Sequence, residues 1–126
     1  MALNGGDAGI STFFAGKPGT YEIFRVVADR IEALGPTKVE VKSQISYSVE
    51  RKFAWFWLYN VTKKNPNGIL HLMLAIDHHV DEPGVREVNQ VSKSRWNHQV
   101  VIRALDEARS EWLRDLLVMA YEYGRR

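Results

Sequence analysis

Between residues 21 and 34 apolar side chains recur at three- and four-residue steps: Ile23, Phe24, Val27, Ile31 and Leu34. Glu22, Arg25, Asp29, Arg30 and Glu32 fall on the opposite side of that period. One apolar stripe repeating every 3.6 residues is the signature of an amphipathic helix lying on a core. The turn Gly16-Lys17-Pro18-Gly19 leads into Thr20, whose hydroxyl suits an N-cap, and Gly35-Pro36 supplies the stop. The pattern predicts a helix over Tyr21–Leu34.

The period then falls to two. Val39 and Val41 alternate with Glu40 and Lys42, and Ile45, Tyr47 and Val49 alternate with Ser46, Ser48 and Glu50. Alternation of this kind places one apolar face on a core and one polar face outward. After the polar turn Glu50-Arg51-Lys52, the run Phe53-Ala54-Trp55-Phe56-Trp57-Leu58-Tyr59 is apolar at every position, which predicts a central strand covered on both sides. Lys63-Lys64-Asn65-Pro66-Asn67-Gly68 is a turn signal. Further strands are predicted over Ile69–Asp77, Val85–Val91 and Trp96–Arg103, separated by a polar loop at His78–Gly84 and a turn at Ser92–Ser94.

Asp106–Tyr123 returns to the helical period, with Ala108, Trp112, Leu113, Leu116, Leu117 and Ala120 on one face and Gly124 beyond it. Trp112 and Tyr121 are expected in the core against the aromatic strand. Strands in an unbroken run, with helices only at the ends, predict an α+β fold. The expected form is an antiparallel meander of about five to six strands with an N-terminal and a C-terminal helix packed on one face. Residues 1–15 are rich in glycine and read as a loose tail, apart from Phe13 and Phe14; residues 16–124 read as a single domain.

At 126 residues the chain can bury a core without staples. Its 45% hydrophobic and 25% charged residues argue against disorder. The absence of cysteine excludes disulfides, thiolate metal sites and a cysteine nucleophile. With no signal-peptide pattern and no apolar run of membrane-spanning length, a cytoplasmic protein without membrane contact is expected. A formal charge of +2 permits an anionic partner without requiring one.

Several short motifs touch on chemistry. Gly16-Lys17 before a helix suggests a phosphate loop, but Ser11 and Pro18 stand where that loop needs glycine and a hydroxyl residue. A weak anion site at the helix N-terminus is the remaining form of that reading. Glu40-Val41-Lys42 matches the carboxylate–x–lysine step of metal-dependent nucleases, yet no acidic strand neighbour accompanies it, and a solvated strand face explains it better. His78, His79 and Asp81 are weak candidate metal ligands in one loop. No serine has the context of an activated nucleophile. No catalytic residues and no cofactor are implied.

The basic and aromatic residues Arg86, Arg95, Trp96 and His98, joined by Lys52, form the candidate ligand-binding patch, because cations and aromatic rings together can pair phosphates and stack bases. The bland reading makes Trp96 a core anchor and the charges guards of strand edges. Phe14-Ala15-Gly16-Lys17-Pro18, Leu34-Gly35-Pro36, Ile45-Ser46-Tyr47, Phe53-Ala54, Arg95-Trp96-Asn97-His98 and Ala120-Tyr121 together resemble the bacterial family called domain of unknown function 5655, from about Phe13 to Gly124. The resemblance implies a small stand-alone or appended domain with no established activity. The sequence therefore points to a non-catalytic binding or accessory domain whose ligand it does not identify, with a nucleic acid or a protein partner left open. A nucleic-acid-binding module is the first alternative, and a small metal-dependent enzyme the second. Strand edges leave a homodimer open.

Overall fold

The computed structural model describes residues 6–58 and 67–126. The Tyr59 end of the expected aromatic strand and the Lys63–Pro66 part of the expected turn lie outside the described residues. In chain order the elements are α1 (Gly6–Phe13), α2 (Pro18–Glu32), β1 (Lys38–Val41), β2 (Ile45–Ser48), β3 (Lys52–Trp57), β4 (Leu70–Ile76), β5 (Glu87–Ser92), β6 (Arg95–Ile102), α3 (Leu105–Ala108) and α4 (Glu111–Arg125).

The strands form one antiparallel sheet in the order β1-β2-β3-β4-β6-β5. The first four run as the expected meander. The last hairpin then enters with its second strand inward, so β6 lies beside β4 and β5 becomes an edge. The residue patterns account for this choice: β6 carries buried His98, Val100 and Ile102, whereas β5 is exposed along most of its length. An apolar strand gains from an interior position, and a polar one tolerates the edge.

One face of the sheet is packed by helices. Ile45 and Tyr47, Ala54 and Phe56, Leu70, Leu72, Leu74 and Ile76, and Val100 and Ile102 point to this side and are almost completely buried. They meet Phe24, Val27 and Ile31 of α2 and Leu113, Leu116, Leu117 and Ala120 of α4. Full burial of each valine, leucine, isoleucine or phenylalanine among them stabilises the fold by roughly 1.5–3 kcal/mol relative to exposure. Between Tyr47 and Ser48 the β2–β3 register shifts, leaving Phe53 as an extra residue on β3. That bulge lets Phe53 and its neighbour Ala54 both be buried. Phe53 meets Tyr121 edge to face, ring centroids 5.7 Å apart.

Three local features depart from expectation. Residues 6–13, expected in a loose tail, form α1, and Ile10 and Phe14 are buried in the core. The predicted C-terminal helix is two helices, because Ser110 adopts an extended conformation and caps α4. Its hydroxyl accepts from Leu113 N–H at 3.4 Å and donates to the Glu107 carbonyl at 2.7 Å. Finally, Thr20 is not the N-cap of α2. That helix begins at Pro18, and its free Gly19 and Thr20 N–H groups both donate to Asn67 Oδ1, at 2.8 and 3.2 Å. The buried Thr20 hydroxyl accepts from Gly68 N–H at 2.7 Å. Replacing Asn67 by Ala should lower stability by about 1 kcal/mol, the usual worth of a lost cap. An unchanged urea midpoint would show that water substitutes fully for the amide.

Gly124 is tightly enclosed at the end of α4. Its carbonyl accepts from Glu50 N–H at 2.8 Å and Arg51 N–H at 3.0 Å. A Cβ there would lie 2.5 Å from Phe53 Cδ1 and 3.2 Å from the Arg51 carbonyl oxygen. Gly124→Ala should therefore destabilise the domain by about 1–2 kcal/mol, overpacking outweighing the gain in helix propensity. A raised denaturation midpoint would mean that the Phe53 ring yields freely.

Candidate functional site

Opposite the helices, the other face of the sheet carries the alternate residues of every strand. The register aligns Ser46, Trp55, Met73, Gln99 and Glu87 in one row across the sheet, and Trp57, His71 and Val101 in the next. Trp55 and Trp57 are only half-buried. The apolar run in β3 therefore marks an interior strand, as expected, but one that helices cover on a single side among the described residues. Trp57 stacks on His71 with ring centroids 5.6 Å apart at 27°. The Arg95 guanidinium lies over the Trp55 ring, 5.0 Å from its centroid, and its Nε donates to Asn97 Oδ1 at 3.1 Å.

The sequence patch divides between the two faces. Arg95 shares the open face with Asn97 and Gln99, and Arg86, just before β5, lines a cavity on that face. Adjacent residues within a strand, however, point in opposite directions. Trp96 and His98 therefore stand on the helix side of β6, paired with Ile76 and Leu74. His98 is fully buried and presents no ring to solvent. Its Nδ1 donates to the Trp96 carbonyl at 3.1 Å, and its Nε2 accepts from Val80 N–H at 3.0 Å. Both nitrogens are used, so His98 pins the loop after β4. Trp96 is half-buried and stacks on His79, 5.6 Å away. Lys52 starts β3 and sits 2.7 Å from Glu40 Oε1.

The other candidate chemistries can be placed in the same way. Glu40 is held by both Lys52 and Lys42, which keep its carboxyl below the usual range. The adjoining strand β2 supplies no carboxylate, and the nuclease-like step stands as a solvated ion-paired group. His78 Nδ1 is 2.7 Å from Asp77 Oδ1, and Asp77 Oδ2 meets Arg126. His79 faces Trp96 instead. Among the described residues no three histidine or carboxylate side chains converge to hold a metal. The helix N-terminus behind Gly16-Lys17 is occupied by the Asn67 amide oxygen.

One end of the open face is concave. Trp57, Ile69, His71, Arg86, Glu87, Gln99, Val100, Val101 and Arg103 surround a cavity of about 410 Å³. Burial, reinforced by the Arg86 and Arg103 charges, holds the His71 pKa below the ordinary histidine value. Neither guanidinium has an ion pair among the described residues. Arg95 lies six residues along β6 from Val101, the partner of His71, roughly 20 Å away. A larger hollow of about 560 Å³ lies between the end of α2 and α4, but its one cation, Arg125, is paired with Glu122 at 2.8 Å.

Trp57 and Arg103 were not singled out as ligand-binding residues from the sequence, and His71 entered only as a possible metal ligand too far along its strand from Asp77 to share an ion. Only the β3–β4 register makes Trp57 and His71 neighbours. Arg103 follows the last residue of β6, where nothing in the local pattern distinguishes it from a solvated strand end.

His98, like His71, titrates below the ordinary histidine value, chiefly through burial. The unfolded chain therefore takes up protons that the folded one refuses. Stability from these groups is complete above about pH 6.5 and is lost as pH falls toward the folded values. The melting temperature should decline below about pH 6.5, and less steeply in His98→Gln. Equal slopes in the two proteins would show that the buried imidazole does not resist protonation.

No helix among the described residues is long and apolar enough to cross a membrane. No curated protein and no solved structure matches the chain. A family model, that of a domain of unknown function (DUF5655), matches residues 10–124. That match runs from the buried Ile10 of α1 to the enclosed Gly124 of α4, across the whole sheet and both of its faces, and the chain belongs to the DUF5655 family.

Proposed function

We propose that the domain is a non-catalytic recognition module whose open sheet face binds single-stranded nucleic acid. The observation that carries this reading is the group of half-buried rings, Trp55, Trp57 and His71, set among cations on a face that no helix among the described residues covers. An uncovered face of an antiparallel sheet is ordinarily polar. Here two indoles remain in contact with solvent, and aromatic surface of that kind offers stacking to any base.

The charges support the same ligand. Lys38, Lys42, Lys52, Arg86, Arg95 and Arg103 lie on or around this face, against Glu40 and Glu87 on its strands, although the whole chain carries only +2. Cations around a stacking platform can follow a phosphate backbone while the rings take the bases. A duplex keeps its base faces inside its own stack and cannot use the rings, which favours single strands.

Fluorescence anisotropy with short single-stranded and duplex oligonucleotides tests this. Single strands should bind more tightly than duplex and weaken on the order of tenfold between about 50 and 200 mM salt. Trp55→Ala and Arg95→Ala should each weaken binding about tenfold or more while circular dichroism stays unchanged. No binding at the lower salt, or binding indifferent to salt, would reject the reading.

A further inference from the structure

The two ends of the open face differ in how their cations are used. Near the β3 start, Lys52 is engaged by Glu40, and Arg95 is held by Asn97 and Trp55. At the opposite end Arg86 and Arg103 flank one cavity, and neither is ion-paired among the described residues. Glu87 on the rim is occupied by the Asn89 amide, which donates to its Oε2 at 2.9 Å.

The cavity volume, about 410 Å³, lies in the range of small-ligand sites, roughly 300–1,000 Å³. Trp57, Ile69 and Val101 give it an apolar wall, and Gln99 adds an amide able both to donate and to accept. An internal phosphodiester brings a single negative charge. A terminal phosphomonoester brings about −1.5 to −2 at neutral pH and three acceptor oxygens, a better match to two guanidiniums. His71 faces the same space, and a phosphate arriving there would favour its charged form.

We propose that this cavity is a nucleotide subsite, taking a terminal phosphomonoester between Arg86 and Arg103 with its base against Trp57. The inference rests on the open face being the recognition surface, and it assigns that surface a polarity: the strand enters the cavity by a phosphorylated end.

Calorimetry on the whole chain can compare one short single strand carrying a phosphate at its 5′ end, at its 3′ end or at neither. Adenosine monophosphate, adenosine and inorganic phosphate are titrated alongside. One phosphorylated strand should bind at least about tenfold more tightly than the bare strand, since each charge-assisted contact is strong. Arg103→Gln should abolish that preference. Adenosine monophosphate should bind where adenosine does not, and it should raise the His71 pKa seen by NMR. Equal affinity for bare and phosphorylated strands would overturn the subsite while leaving the open-face reading intact. Binding of adenosine monophosphate without any binding of strands would uphold the subsite and remove the open-face reading. Inorganic phosphate binding as tightly as the nucleotide would overturn the base contact and leave only an anion cradle.

Discussion

Phe24 of α2 and Phe56 of β3 meet edge to face, ring centroids 4.9 Å apart, with both side chains fully buried. Around that contact the helix layer, among the described residues, closes on the sheet from one side. Once Phe56 is committed inward, the pleat commits Trp55 and Trp57 outward, because successive strand residues point to opposite faces. The same logic runs through β4, where Leu72 and Leu74 go to the helices and His71 and Met73 go to the open face. The core and the candidate site are thus two readings of one alternation. A one-residue slip would exchange them, and the bulge at Phe53 sits where the register could otherwise drift.

Much of this was legible in the sequence. The apolar stripe of α2 and the alternating strands depend on periods of 3.6 and 2, which require no partner to be recognised. The sequence likewise identified Arg86 and Arg95 as candidates. It failed where proximity along the chain was taken for proximity in space. Arg95, Trp96, Asn97 and His98 are consecutive, but in a strand that contiguity splits them between faces, and the buried His98 serves the loop through Val80. Conversely, Trp57, His71 and Arg103 come together only through strand pairing. The swapped order of β5 and β6 was hidden only in part: the polar make-up of β5 and the apolar residues of β6 favour it, but the pairing of β6 with β4 is a contact between distant segments. Ser110 was missed although serine is a residue type suited to an N-cap, because the apolar face continuing through Ala108 and Trp112 masked the break.

The polar ties follow a pattern of their own. Several of them join distant parts of the chain at backbone groups. Arg30 donates to the Ala108 carbonyl at 2.5 Å, Tyr121 to the Pro36 carbonyl at 3.2 Å, and the Gly124 carbonyl closes the turn before β3. Each satisfies a carbonyl or amide that a helix end or a turn would otherwise leave open. In contrast, ion pairs such as Arg25–Asp29 and Arg114–Asp115 lie at the surface, where such pairs add little. Hydrogen bonds to backbone at element ends fix how helices and sheet are joined. The surface ion pairs add little to that joining.

The Asn67 cap on α2 has a temporal side. A helix of 15 residues is marginal alone in water, and this one waits for a capping amide 48 positions further along the chain. At synthesis rates of about 5–20 residues per second, that delay is roughly 2–10 s, long compared with the microseconds in which helices form and melt. The cap of the helix is complete only when the segment leading into β4 returns to it, so the first long helix to be made is finished by residues that lead into a strand of the sheet it lies on.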